Sequence, residues 1–179
     1  MNPETVLNFW FKEIEPKSWW KKDPDFDQFL RDKFLATHRA AASCELYAWR
    51  DTARGRLAEI IVLDQFSLNM FRGSPVSFMQ DSLALALAQE AVRNGADKEL
   101  ETNERLFMYM PYMHSESAAI HQVAVELFSV PGLESNLEFE YKHKAIIDRF
   151  GRYPHRNAIL RRTSTAEELQ FLTEPGSSF

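Results

Sequence analysis

The amino-acid sequence predicts one all-α domain of about eight helices. Three observations carry that prediction. Apolar residues recur at helical spacing along most of the chain and nowhere alternate convincingly with period two. Helix start and stop signals bracket those segments. Six glycines in 179 residues disfavour a turn-rich β fold.

The helices follow in order. Asn2-Pro3-Glu4 reads as an N-cap, a first-turn proline and an acid near the positive end of the helix dipole. Leu7, Trp10, Phe11 and Ile14 follow at helical spacing. Asp23-Pro24-Asp25 repeats the signal ahead of Phe26, Phe29, Leu30 and Phe34. A helix over residues 55–72 carries Leu57, Ile61, Asp64, Leu68 and Phe71 on one line. Ser74-Pro75 starts another, running through Phe78, Leu85 and Val92 to a stop at Asn94-Gly95. Thr102 or Asn103 begins a short helix that should end before Pro111. Ser115 is the predicted cap of a helix through Ile120, Val123, Leu127 and Phe128. A further helix spans about Ser135 to Phe150, with Gly151 as its stop. Thr165-Ala-Glu-Glu168 is a capping box that opens the last.

Composition bounds the function. With 45% hydrophobic residues, fourteen Phe and four Trp, the chain has ample core material. A single cysteine, Cys44, excludes a disulfide framework and any Cys-rich zinc site. No basic-then-apolar leader and no run of 18 apolar residues occurs, so the expected location is the cytoplasm, away from membranes. The net charge of −5 argues against general nucleic-acid binding. That charge is uneven, because residues 141–162 carry +6 and the remainder −11. The basic stretch meets either an anionic ligand or the acidic remainder of its own domain.

The polar residues that interrupt the apolar pattern are the candidate site. Asp64 falls at the centre of an apolar stripe, where a carboxylate must be paired, hydrogen-bonded or neutral. Gln65, Asn69 and Arg72 form a narrow polar seam on the same helix. His143 sits among Phe139, Ile146, Ile147 and Phe150, the pattern of a hydrogen-bonded core histidine. Ser115 and Glu116 can cap and complement a helix start, which leaves His114 as the better candidate for chemistry. In Arg149-Phe-Gly-Arg-Tyr-Pro-His-Arg-Asn157, Gly151 permits a sharp exit and Pro154 holds Tyr153 extended. Arg152, His155, Arg156 and Asn157 are thereby presented from an irregular segment. Their guanidinium forks suit a carboxylate or phosphate, or else tie the segment to Asp64 and Glu116. No His-x3-His, His-Glu-x-x-His, P-loop, dinucleotide-binding glycine pattern or Gly-x-Ser-x-Gly is present, so no metal or cofactor is expected.

Three segments together, Leu63-Asp-Gln-Phe-Ser-Leu-Asn-Met-Phe-Arg-Gly73, Tyr109-Met-Pro-Tyr-Met-His-Ser-Glu116 and Arg149–Asn157, resemble the bacterial family catalogued as domain of unknown function 924. Phe9-Trp10-Phe11 and Ser164–Glu168 fit the same pattern. The resemblance covers nearly the whole chain. It implies a tetratricopeptide-like superhelix of helical hairpins and no established activity. Asp64, Asn69, Arg72, His114, Glu116, Arg152, His155, Arg156 and Asn157 match its motifs. Ser67-Leu68 stands where the family often has Pro-Arg, and Arg161 where it often has Gly.

Three functions are compatible with these residues. One is a binding module with an arginine-lined pocket for an anionic small molecule or a peptide carboxylate. Another is a scaffold for protein partners with a purely structural polar cluster. The third is an acid/base hydrolase or transferase using His114 or His155 with Asp64 or Glu116. The oligomeric state and the identity of the ligand are not encoded in any motif.

Overall fold

The computed structural model describes residues 1–178 and is all-α, with no strand among them. Its α-helices are α1 (Pro3–Asn8), α2 (Pro24–Ala42), α3 (Ala53–Leu63), α4 (Gln65–Met70), α5 (Asp81–Arg93), α6 (Thr102–Met113), α7 (Ala118–Phe128), α8 (Glu134–Phe150) and α9 (Ala166–Phe171). Counted as one kinked helix, α3 and α4 bring the described residues to eight. No helix among them is long and apolar enough to cross a membrane.

Two compact units divide the chain. The first holds Met1–Arg72 and Val76–Pro111, and the second Gly73–Pro75 with the described residues from Tyr112 onward.

In the first unit, α3 is the central helix: α1, α2 and α5 all pack on it. Every residue from Leu57 to Leu63 is buried, as expected for a helix with apolar residues on several faces. Around it lies an aromatic core in which Phe34 and Phe66 meet at 4.8 Å, and Trp10 and Phe107 at 5.5 Å. Asn2 caps α1 through Thr5 N–H, and Asp23 caps α2 through Asp25 and Phe26 N–H. Glu59, with no exposed surface, is held by both Nε and Nη2 of Arg50 at 2.7 Å. Arg50 belongs to the one-turn segment Tyr47–Asp51 that precedes α3.

Several expectations are corrected here. The helix predicted over 55–72 is interrupted at Asp64, whose backbone (φ −92°, ψ −71°) stays right-handed but departs from ideal helical values. The break gives α4 its own first turn, and Ser67 lies in it. A proline at residue 67 would lie in that first turn, where it forfeits no intrahelical bond. Ser67 instead donates to Leu63 O at 2.5 Å and meets His38 Nε2 at 2.7 Å. Pro111 lies inside α6, close enough to the end that the helix continues to Met113. Ser74-Pro75 starts only a one-turn segment, Pro75–Phe78, and α5 begins anew at Asp81.

In the second unit α7 and α8 form a helical hairpin joined across residues 129–133. Gly151, with φ +67°, ends α8, as its sequence position implies. The Thr165 capping box is complete on both sides: Thr165 accepts from Glu168 N–H, and Glu168 accepts from Thr165 N–H.

Candidate functional site

Pro154 and the left-handed Gly151 turn the chain sharply out of α8, so Tyr153 enters the interior of the second unit with 1% of its surface exposed. Its hydroxyl donates to Met113 O at 2.5 Å, and its backbone N–H donates to Glu116 at 2.8 Å. Tyr153 thus clamps the turn after α6 at two points 40 and 37 residues away in sequence.

Glu116 is the acceptor around which the basic segment closes. Arg162 grips both of its oxygens, at 2.6 and 2.8 Å. The same guanidinium donates to Asn157 Oδ1 at 3.0 Å and Tyr153 O at 3.1 Å, and Asn157 in turn donates to Ser164 Oγ at 3.0 Å. Burial opposes ionisation of Glu116. The Arg162 and Tyr153 hydrogen bonds and the charges of Arg162 and Arg156 outweigh it, holding the carboxyl below its ordinary range. This corrects the expectation that Ser115 and Glu116 serve a helix start. The N-cap of α7 is Ser117, and the Ser115 carbonyl accepts from His121 Nε2 at 2.8 Å.

Arg152 makes a second fork, to both oxygens of Glu168 at 2.6 and 2.8 Å, and also reaches Thr163 O. That fork and the Thr165 N–H bond bring the Glu168 carboxyl down to about 2, against burial. The sign follows from linkage. A carboxylate with a lowered native value contributes stability above its unfolded value and loses it as the pH falls. Acid titration is therefore expected to release α9 from the segment between pH about 4.5 and about 2. Methyl or amide NMR of α9 would follow this, and Glu168→Gln should abolish the transition in that window.

Arg156 is buried, donates to His114 O at 3.1 Å and lies 4.8 Å from the Tyr153 ring centroid. The His155 ring stands 5.5 Å from that ring and the His143 ring 5.8 Å. His143 is the buried, hydrogen-bonded core residue its sequence pattern implies, with Nδ1 donating to Phe139 O at 2.8 Å.

Sequence reasoning missed a further pair. His121 and Glu140 are completely buried, and His121 Nδ1 lies 2.6 Å from Glu140 Oε1. His121 Nε2 faces Ser115 O and stands 3.2 Å from the Tyr153 hydroxyl. The signal was present: His121 lies on one stripe with Ala124 and Phe128, and Glu140 with His143 and Ile147. Both break an apolar stripe as Asp64 does.

The other predicted residues belong to the first unit. Asp64, 1% exposed, accepts from Gln65 Nε2 at 2.7 Å. Asn69 donates to Gln65 O and accepts from Arg72, which forks onto Asp27 of α2 at 2.6 and 3.0 Å. The structure therefore gathers Glu116, Asn157, Arg162 and Tyr153 into one network. It joins Arg156 to the His114 carbonyl, Arg152 to Glu168, and Arg72 with Asn69 to Asp27.

Arg161 has φ +55°, a left-handed backbone that glycine adopts without steric cost. Arg161→Gly is expected to stabilise the protein by about 0.5–1 kcal/mol, measured by urea unfolding, because relief of the strain exceeds the added unfolded-state entropy.

Among the described residues, no group of three His, Cys, Asp or Glu side chains is placed to hold a metal ion. No curated protein matches the chain. The solved structure of a protein of unknown function from Agrobacterium tumefaciens is similar at 40% identity and a TM-score of 0.90, covering 95% of this chain and 96% of that one. The model of a bacterial family, described as protein of unknown function (DUF924), matches residues 6–176, and the chain belongs to that family.

Proposed function

We propose that this protein is a non-catalytic binding module that recognises an anionic partner, an acidic peptide or a small molecule bearing a carboxylate, on the outer face of α8. The observation that carries this reading is the exposure of two aromatic rings there, one of them coupled to a lysine. Phe139 and Tyr141 are 49% and 52% exposed. Lys142 Nζ lies 4.8 Å from the Phe139 centroid; the Arg149 guanidinium, 4.6 Å from that of half-buried Phe150, is also bonded to exposed Glu167 at 2.8 Å. Aromatic residues and arginine are the types enriched at the energetic centres of interfaces. Tyr141, Lys142 and Arg149 also lie in the +6 stretch of a chain whose net charge is −5.

The inner arginines support a structural role. Arg162 and Arg152 are already forked onto Glu116 and Glu168, so an incoming anion would have to displace a protein carboxylate from each. Those closed forks favour a second reading, a scaffold for protein partners with a purely structural cluster. Hydrolysis or transfer by His114 or His155 with Asp64 or Glu116 has less support, because Glu116 is already forked by Arg162 and Asp64 is buried, bonded to Gln65.

An array of acidic peptides, with charge-reversed copies as controls, tests the proposal. Binding to the full chain should weaken about tenfold or more in Tyr141→Ala or Lys142→Glu, in line with loss of an interface anchor. Equal capture of acidic and basic peptides would refute it.

A further inference from the structure

The second unit places histidine rings around one buried tyrosine. His121, His143 and His155 stand 6.3, 5.8 and 5.5 Å from the Tyr153 ring, and the Arg156 guanidinium 4.8 Å. His114 lies at the turn that the Tyr153 hydroxyl and N–H clamp through Met113 and Glu116. We propose that this histidine-ringed tyrosine is an acid-sensitive latch: a proton taken up at His143 drives the 152–162 segment off the 113–116 turn.

The charged and titratable groups of the unit explain why. From α7 comes His121. From α8 come Glu140, His143 and Lys144, the last paired with Asp148 at 2.5 Å. From the turn come His114 and Glu116. From the exit segment come Arg152, His155, Arg156 and Arg162, and from α9 comes Glu168. The carboxylates among them are engaged: Glu116 with Arg162, Glu168 with Arg152, and Glu140 Oε1 with His121. A proton added to His143 therefore arrives in a buried site beside the tyrosine that also carries the Arg156 guanidinium on its ring, and desolvation and repulsion favour opening.

His143 shows the effect most strongly. Burial pushes it down to about 3, against its bond to Phe139 O, and the charges of His114, His121 and His155 add to the fall. In the opened segment the same ring titrates near its ordinary value of 6.5. The closed latch is thus fully favoured above pH about 6.5 and loses ground as the pH falls through that value. From His143 alone the opening constant rises about 25-fold between pH 7 and pH 5.

Hydrogen exchange of the full chain at pH 7 and pH 5, corrected for intrinsic exchange rates, reads this directly. Peptides covering 113–116 and 152–162 should open about 25-fold more at the lower pH. His143→Gln can still donate to Phe139 O but cannot take a charge, and should flatten that dependence. Unchanged protection in the wild type, or an unchanged pH slope in His143→Gln, overturns the proposal. If the variant does not fold, a ring NMR titration of the wild type decides. A His143 signal that stays neutral to pH 5 in the closed form supports the latch, and one that titrates near 6.5 with the segment still protected overturns it.

Discussion

Glu116→Ala is expected to destabilise the second unit by about 2–3 kcal/mol. The carboxylate accepts three hydrogen bonds, two from Arg162 and one from the N–H of buried Tyr153. Removing it strands that N–H and leaves the Arg162 guanidinium without its counter-charge. The Glu116 and Arg162 side chains keep 26% and 24% exposure, so water partly re-solvates them and the loss stays below the 3–5 kcal/mol typical of a fully buried pair. For a chain of this length the change corresponds to a fall in Tm of about 5–10 °C. Glu116→Gln, which still accepts from Tyr153 N–H, should lose about half as much. A double-mutant cycle with Arg162→Met measures the coupling, and the account fails if Glu116→Ala lies within 0.5 kcal/mol of wild type.

Gly55→Ala should cost roughly 3 kcal/mol, read as a shift in the urea midpoint of the first unit. Alanine is the better helix former, so at an open helical site the exchange would stabilise by about 1 kcal/mol. Here the opposite sign is expected. A Cβ at Gly55 would stand 1.9 Å from the Trp49 carbonyl oxygen and 2.8 Å from its carbon. The obstruction is backbone, so it cannot rotate away. Relief requires the Tyr47–Asp51 turn to leave α3, and Arg50 would then release the buried Glu59. The absence of any side chain at residue 55 is thus what allows the first unit's buried ion pair to form.

Features governed by neighbours three or four residues apart were legible in the sequence. The Asn2 and Asp23 caps, the Gly151 stop and the Thr165 capping box all formed where their residues imply. The burial of α3 and of Asp64 was legible too, because apolar periodicity reports which faces lie inside. Ser115 misled because a serine before a helical run is a cap only if its side chain faces the helix N–H groups. Its carbonyl is instead held by His121.

The partners of the polar residues belong to a different class of information. Arg72 reaches Asp27 across 45 positions, Arg162 reaches Glu116 across 46, and Arg152 finds Glu168 across 16. Any of the chain's 26 acids could have satisfied a given arginine as far as composition is concerned. The sequence by itself determined the helices, their ends and their buried faces, since these follow from local torsional preference and the period of apolar residues. It also determined that the chain from Gly151 to Asn157 would leave α8 as an irregular basic segment. Only the tertiary structure decided that Tyr153 would turn inward, that Glu116 rather than a ligand would receive Arg162, and that His121 would meet Glu140. Those choices depend on which helix faces meet, and burial makes each unpaired polar group too costly to leave unmatched.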